Sequence, residues 1–237
     1  MDSTLFSGCY AFPPNNLGYC GGNSFTNVIQ SCLNRGKTTK KLERELKKFK
    51  AHYAYLSLIA RENNLKPFDL DVVNAFWIGN SLLENVPYNS LQKFLTNNLF
   101  PKNSVRGKFL ARNLPKGLVP HHSFNSLYVN FVTEKVAKTK KNFDSCCVTS
   151  GKILSVTGKK AKINRFSISG HGKLTINRKI STIDLVRNSV QFTKPKKGDI
   201  IAVHWGMAVD KLSKEDENLL LKYTQKNIDV LNAFRKF

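Results

Sequence analysis

The sequence predicts an α+β fold in two parts: a mainly helical N-terminal domain, and a smaller β domain that ends in a helix. Before about residue 140, apolar residues recur at helical spacing; from Asp144 onward they alternate with polar residues, as they do in strands. We place the helical domain at residues 1–142, with a polar, charged linker at residues 133–142, and the β domain at residues 143–237. A chain of 237 residues is long enough for two such domains.

Apolar stripes and capping residues define the helices of the N-terminal domain. A helix that begins at Asn23 or Ser24 and stops at Gly36 places Cys32 on its apolar face, which predicts a core cysteine. A longer helix follows, and its stripe alternates spacings of four and three residues: Leu42, Leu46, Phe49, Tyr53, Leu56 and Ala60. His52 neighbours this stripe, and we interpret it as a structural residue.

Shorter elements complete the N-terminal domain. The sequence predicts helices at residues 69–79, 89–99 and 104–113. Beyond Pro120 it predicts a strand, in which three apolar residues alternate along one face: Leu127, Val129 and Phe131.

The β domain shows a period of two between turns that contain glycine. Residues 152–166 predict a strand, a turn at Gly158 and a second strand. Residues 172–186 and 198–209 supply further strands. The final helix has Ser213 as its N-cap, and the acidic residues of its first turn suit the positive end of the helix dipole.

The charge and cysteine content limit the classes of function. Lys and Arg total 38 against 16 Asp and Glu, a net charge of +22, which favours a polyanionic partner such as nucleic acid. The excess is spread over both halves of the chain, which is weaker than one basic stripe. No apolar run approaches the ~20 residues of a membrane span, and the N-terminus lacks the pattern of a secretory signal. We therefore expect a cytoplasmic protein whose five cysteines are thiols.

Three features in the last third of the chain occur in a fixed order. Cys146 precedes Gly151 by five residues, at the entrance to the first strand. The segment GDIIAVHWGMA, Gly198 to Ala208, combines a Gly-Asp turn with a strand that carries His204. With the helix that follows, this order resembles the HypC-type hydrogenase assembly chaperones, which are small OB-like β-barrels with a C-terminal helix.

The resemblance implies a function and two site residues. In that family the cysteine and histidine are implicated in carrying an iron centre with cyanide and carbonyl ligands toward a nickel–iron hydrogenase. It implies Cys146 as a thiolate ligand and His204 as a ligand or orienting base, with iron held transiently. Soft thiolate and imidazole donors suit low-valent iron. The family's cysteine lies at the mature N-terminus, whereas Cys146 is internal, and Ser150 stands where the family has proline. The alternative is a reused barrel with Cys146 and Cys147 as small apolar residues.

The whole chain also resembles a little-described group of archaeal and bacterial proteins with the same two-part layout. Five segments carry this resemblance: YAFPPNNLGYCG, YLSLIARENN, AFWIGNSLLE, LPKGLVPHHSF and HWGMAVDKLS. It supports the architecture and implies no activity.

Other residues are metal-ligand candidates of second rank. Residues 12–22 form a Pro- and Gly-rich segment, which predicts a loop, and Cys20 lies within it. His121 and His122 are adjacent, and on an extended segment they would point to opposite faces. If Cys20, His122, Cys146 and His204 met in a cleft between the domains, they would make a metal site.

The first hypothesis is an accessory or chaperone-like protein that handles an iron cofactor intermediate, or recognises its target, with a client or maturation protein as partner. The alternative is an RNA- or ribosome-associated protein, because OB-like barrels bind single strands through basic grooves with stacking aromatics. Its candidate residues are Lys159, Lys160, Lys162, Arg165 and Phe166. A third hypothesis is a cysteine enzyme that uses Cys146 with His204 as base.

Overall fold

The computed structural model describes residues 2–130, 140–170 and 173–234, without the side chains of residues 140, 141 and 143. The helices of the described part are α1 (Ser3–Asn16), α2 (Phe25–Arg35), α3 (Lys40–Lys47), α4 (Lys50–Glu62), α5 (Leu70–Trp77), α6 (Tyr88–Phe94), α7 (Val105–Arg112), α8 (His122–Phe124), α9 (Lys140–Cys146) and α10 (Lys214–Phe234). Single π-helical turns extend α6 over Leu95–Leu99 and α8 over Asn125–Val129, and a 3₁₀ turn spans Ser81–Leu83. The strands are β1 (Thr149–Thr157), β2 (Lys160–Ser169), β3 (Thr175–Asp184), β4 (Ile200–His204) and β5 (Met207–Leu212).

The five strands form a closed barrel in the order β1-β2-β3-β5-β4. Neighbouring strands are antiparallel except β3 and β5, which pair in parallel at Asp184 and Met207. Small and branched apolar residues fill the interior: Ile153, Ala161, Ile163, Ile183, Leu185, Ile201, Val203 and Ala208. The predicted α+β fold is confirmed: a helical N-terminal region, a small OB-like barrel and a C-terminal helix.

The helical region and the barrel share one large hydrophobic core. The largest cluster of buried apolar side chains includes Tyr10 from α1, Trp77 from α5, Phe166 from β2 and Tyr223 from α10. Helix α1 lies against both β4 and β5. The domain boundary at residues 142 and 143 stays a prediction, but the packing of the barrel depends on side chains from both sides of it.

The C-terminal helix is capped as predicted and is tied to the segment that carries two histidines. Ser213 Oγ accepts a hydrogen bond from the Asp216 N–H at 3.0 Å, and Asp216 Oδ2 accepts one from the Ser213 N–H at 3.1 Å. Farther along, the fully buried Asn227 accepts from the Val119 N–H at 3.0 Å and donates to Ser123 Oγ at 2.9 Å. These bonds fix the start of α8, and with it the position of His122.

Two sequence predictions for the N-terminal half are wrong in informative ways. The segment predicted as a loop from residue 12 is helical to Asn16, although it contains Pro13 and Pro14. Capping of α1 by the Asp2 side chain and burial of both prolines offset the lost backbone hydrogen bonds. The long helix predicted over the stripe from Leu42 to Ala60 is divided at residues 48 and 49 into α3 and α4.

The strand predicted over residues 127–131 is a helix as far as it is described. Ser126, Leu127, Tyr128 and Val129 are all buried, and a helix buried on every side has no polar face to reveal its period. Phe131 and residues 133–139 of the predicted linker lie outside the described residues, and residues 140–142 begin α9.

Gly151 offers a test of the barrel's close packing. Its position on β1 faces Arg165 on β2, and an added Cβ would lie 2.3 Å from the Asn164 carbonyl oxygen. We expect Gly151→Ala to lower the free energy of unfolding by about 2 kcal/mol or more, because backbone must move to relieve the clash. Urea denaturation measures this change.

The matched control is Gly158→Asn at the β1–β2 turn. There the backbone φ is +56°, a conformation that Asn tolerates, and no atom lies within 4 Å of an added Cβ. We expect this variant to stay within about 1 kcal/mol of the wild type. Equal stability of the two variants would contradict the packing described for Gly151.

Candidate functional site

A cavity of about 300 Å³ lies where the helical region meets the barrel. Its walls come from α1, α4, α5, α8, α9, the end of β4 and the loop after α1. It brings together four of the sequence-predicted candidates: Cys20, His122, Cys146 and His204. His121 is buried elsewhere, with its Nδ1 2.8 Å from Ser123 Oγ, and does not line the cavity.

Cys146 is the last residue of α9 and is only 8% exposed. Its carbonyl accepts a hydrogen bond from Ser126 Oγ at 2.9 Å, and its Sγ accepts one from Asn130 Nδ2 at 3.5 Å. Burial raises the pKa of the Cys146 thiol, so the group is protonated at neutral pH. The adjacent Cys147 belongs to the hydrophobic core. The two cysteines therefore differ in role: one lines the cavity and one packs.

A buried ion pair holds α9 in place. The Arg165 guanidinium binds both carboxylate oxygens of Asp144, at 3.2 and 2.6 Å, and Lys179 Nζ lies 2.7 Å from the same carboxylate. Burial alone would raise the pKa of Asp144, but the hydrogen bonds from Arg165 and Lys179 outweigh it and hold that pKa below its ordinary value. Because Asp144 lies two residues before Cys146, this ion pair also sets the position of the thiol.

His204 ends β4 with one nitrogen engaged and the other free of a described partner. Its Nδ1 lies 2.7 Å from the carbonyl oxygen of Tyr10. A carbonyl only accepts, so Nδ1 carries the ring proton and Nε2 carries the lone pair. Nε2 is buried and makes no hydrogen bond of ordinary geometry with a described residue, although the Cys146 backbone, like that of Tyr10, acts on the ring and partly offsets the effect of burial on its pKa. Burial lowers the pKa of His204 to about 4, which keeps the ring neutral at neutral pH.

Three histidine rings surround Trp77 at this cavity. The ring centres of His52, His122 and His204 lie 5.4, 4.6 and 5.7 Å from that of Trp77, and those of His122 and His204 are 5.0 Å apart. His52 Nδ1 and His122 Nδ1 are buried without a described partner. Sequence reasoning placed His52 beside the helical stripe and gave it a structural role; its place in the wall of the cavity was missed. The one sequence feature that could have indicated this place is that His52 directly precedes Tyr53 of the apolar stripe.

The exposed lining residues form a mouth, which we define as Tyr19, Cys20, Gly21, Lys48 and Lys50. The Tyr19 ring stacks on Trp205 with centres 4.2 Å apart. Trp205 has a φ of +48° in the tight β4–β5 turn, a conformation rare for a bulky residue. An aromatic pair thus closes one side of the mouth, and two lysines flank it.

The described residues contain no group of three or more His, Cys, Asp or Glu placed to hold a metal ion. The predicted candidates Cys20, His122, Cys146 and His204 share the cavity without forming such a group. The geometry also disfavours an activated nucleophile, because Cys146 lies at the C-terminal end of α9 and burial raises its pKa.

The candidates for nucleic-acid binding separate into two sets. Lys159, Lys160 and Lys162 are exposed at the β1–β2 hairpin. Phe166 is 1% exposed in the core, and Arg165 is occupied by its buried pair with Asp144. The five residues therefore do not form one exposed basic and aromatic face. The remaining support for the nucleic-acid hypothesis is the net charge of +22.

Comparison with known proteins identifies a family and no activity. The model of DUF6390, a family of unknown function, matches residues 2–236. No curated protein and no solved structure matches the chain. None of the described helices has the length and apolar content needed to cross a membrane.

The buried histidines predict a steep loss of stability in mild acid. Burial lowers the pKa of His52 and His121 to about 3, that of His204 to about 4, and that of His122 well below its ordinary value. The unfolded chain therefore binds more protons below about pH 6.5, and each of these histidines costs about 1.4 kcal/mol per pH unit. Burial raises the pKa of Asp210 to about 6, which offsets part of this loss as the pH falls further.

Urea denaturation at pH 7, 6 and 5 measures this dependence. We expect the free energy of unfolding to be highest above pH 6.5 and to fall steeply by pH 5. The variant His52→Gln removes one of the four groups and should show a shallower slope. A free energy that does not change between pH 7 and pH 5 would contradict the burial of these neutral rings.

Proposed function

We propose a function for this chain, which belongs to the DUF6390 family of unknown function, from the donors of its cavity. The protein holds a small metal-centred cofactor intermediate as cargo, and Cys146 and His204 are the ligands that the chain supplies. It acts as an accessory protein in the maturation of a metalloprotein, and it passes the cargo to a client rather than catalysing a reaction itself.

The arrangement of His204 is the observation that carries this proposal. Histidine ligands to metals almost always donate their second ring N–H to a carboxylate or carbonyl, which fixes the tautomer and orientation of the ring. His204 donates Nδ1–H to the Tyr10 carbonyl at 2.7 Å, and its Nε2 makes no hydrogen bond of ordinary geometry with a described residue. The low pKa of the ring means that no proton competes for Nε2 at neutral pH.

Cys146 is the second donor. It lines the same cavity as His204, and its thiol must lose a proton to bind a metal. Because burial raises the pKa of this thiol, the cargo has to displace the proton, and retention should weaken as the pH falls. Thiolate and imidazole together suit iron or another transition metal that accepts soft and borderline donors.

Two protein donors fit a complex that brings its own ligands better than a bare ion. The described residues offer no group of three or more ligands for a bare ion, whereas a complex with attached small ligands needs only one or two more. The resemblance of the barrel to HypC-type chaperones, in which the matching cysteine and histidine are implicated in carrying iron with cyanide and carbonyl ligands, supports this cargo. The cavity of about 300 Å³ has room for such a complex.

One difference from that family affects how the cargo is transferred. Cys146 is buried beneath the helical region, so it does not project freely toward a partner. Loading and release therefore pass the mouth, where Tyr19 is 47% exposed and stacks on Trp205. A client or maturation protein that receives the cargo is expected to act on this side of the molecule.

Metal analysis of protein purified without oxygen tests the proposal. We expect iron in the wild type, with infrared bands in the cyanide and carbonyl stretching region, and loss of both in Cys146→Ala and His204→Gln. Cys147→Ala is the matched control, because this neighbouring cysteine packs in the core and should leave the metal content unchanged.

Two results would count against the proposal. One is equal metal content in the wild type and Cys146→Ala. The other is a purified protein that contains no metal, shows no infrared bands in this region, and instead carries a nucleic acid that dissociates at high salt. Iron without the infrared bands would support a metal cargo and contradict its cyanide and carbonyl ligands.

A further inference from the structure

We propose that the helical region makes the cavity selective for small anions: Lys50 attracts the ligand at the mouth, and His52 donates a hydrogen bond to it from Nδ1. This inference rests on the proposed function for its biological meaning, since it names the charge and chemistry of the cargo. The ligand class is a small anion with a terminal lone pair, either free or bound to a metal.

The charges of the lining support an anionic ligand. Two lysines, Lys48 and Lys50, belong to the described lining, and no described Asp or Glu does. Lys48 is paired with Glu45 at 2.6 Å, but Lys50 is in no ion pair among the described residues. An uncompensated cation at the opening of a partly enclosed, low-dielectric site raises the local concentration of anions.

The hydrogen bonds of Ser7 determine the tautomer of His52. The Ser7 hydroxyl has one proton to donate, and the hydrogen bonds of its oxygen among the described residues are to His52 Nε2 at 2.8 Å and Trp77 Nε1 at 3.5 Å. The indole N–H only donates, so it cannot take the Ser7 proton. We assign that proton to His52 Nε2, the one acceptor bonded to the hydroxyl among the described residues, and this assignment places the ring proton of His52 on Nδ1.

His52 and His204 both line the cavity, and on this assignment Nδ1 of His52 is a buried donor whereas Nε2 of His204 is a buried acceptor. His52 Nδ1 is buried, and no described residue accepts its proton. Buried polar groups in folded proteins almost always have a partner, so an unpaired N–H in the wall of a cavity points to a ligand that accepts. A neutral ring with a fixed tautomer cannot switch this donor to an acceptor at neutral pH, which gives the site a preference for ligands with a terminal lone pair.

The two tryptophans of the chain make the inference measurable without a metal. Trp77 and Trp205 are the only tryptophans in the sequence, and both line the cavity. We would titrate the metal-free, full-length protein with thiocyanate at constant ionic strength and follow tryptophan fluorescence. Methyl thiocyanate is the matched neutral probe, and N-acetyltryptophanamide controls for collisional quenching. We expect a saturable change with thiocyanate and none with methyl thiocyanate.

Four variants separate charge, donor and structure. Lys50→Gln should weaken thiocyanate binding roughly threefold to tenfold, as expected for loss of a partly screened charge, whereas Lys162→Gln on the distant hairpin should not. His52→Gln keeps an acceptor for Ser7 near the Nε2 position and lacks the Nδ1 donor, so it should weaken binding at least about tenfold. His52→Asn places an amide donor near the Nδ1 position and should bind more tightly than His52→Gln. Thermal unfolding of each variant checks that the fold is retained.

Several outcomes would overturn the inference: only linear quenching by thiocyanate, equal binding of the neutral probe, or equal losses in His52→Gln and His52→Asn. These outcomes are distinct from failure of the proposed function. If the protein retains metal through Cys146 but thiocyanate binding is unaffected by the Lys50 and His52 substitutions, the proposed function stands and anion selectivity is rejected. If thiocyanate binds as expected but the protein never retains metal, anion selectivity stands and the proposed function is rejected.

Discussion

The hydrogen bond between His204 Nδ1 and the Tyr10 carbonyl is the interaction on which the site depends. It spans 2.7 Å in space and 194 positions in sequence, and it joins α1 to the end of β4. Tyr10 itself is fully buried, stacks on Trp77 with ring centres 5.2 Å apart and donates its hydroxyl to Asp210 at 3.3 Å. One backbone carbonyl, fixed by these contacts, therefore docks the helical region, orients the imidazole and decides which of its nitrogens holds a lone pair.

Several ring nitrogens around the cavity are buried without a hydrogen-bond partner among the described residues. His52, His122 and His204 are all buried, and each leaves one ring nitrogen without a described partner. An interior optimised only for stability would pair or replace such groups, because an unpaired buried donor or acceptor costs about 1–3 kcal/mol. Three of the seven such side-chain atoms in the described part of the chain lie around Trp77, as expected where stability is given up for binding, and the other four lie outside the cavity.

Local patterns in the sequence were enough to predict the barrel, and they failed where contacts are distant or burial is complete. Alternation and glycine turns predicted the strands. The candidates Cys146 and His204 came from the resemblance to HypC-type chaperones, and in the structure both line one cavity. The strand expected at Leu127 is helical because that segment is buried on all sides, and His52 was hidden beside a strong apolar stripe. Arg165 is of a residue type that often contacts nucleic acid. Its actual partner is Asp144, 21 residues away, and spacing in the sequence does not reveal this ion pair.

The distance along the chain between the two ends of the Tyr10–His204 hydrogen bond also has a consequence for biosynthesis. Tyr10 leaves the ribosome 194 residues before His204. The Tyr10 carbonyl therefore has no imidazole to accept from until His204 has been synthesised. Helices that emerge early can collapse on one another, but the wall that carries His204 is absent until the barrel is made. Capture of the proposed cargo would therefore require a chain that has been synthesised at least through β4, and products truncated before His204 would not hold it.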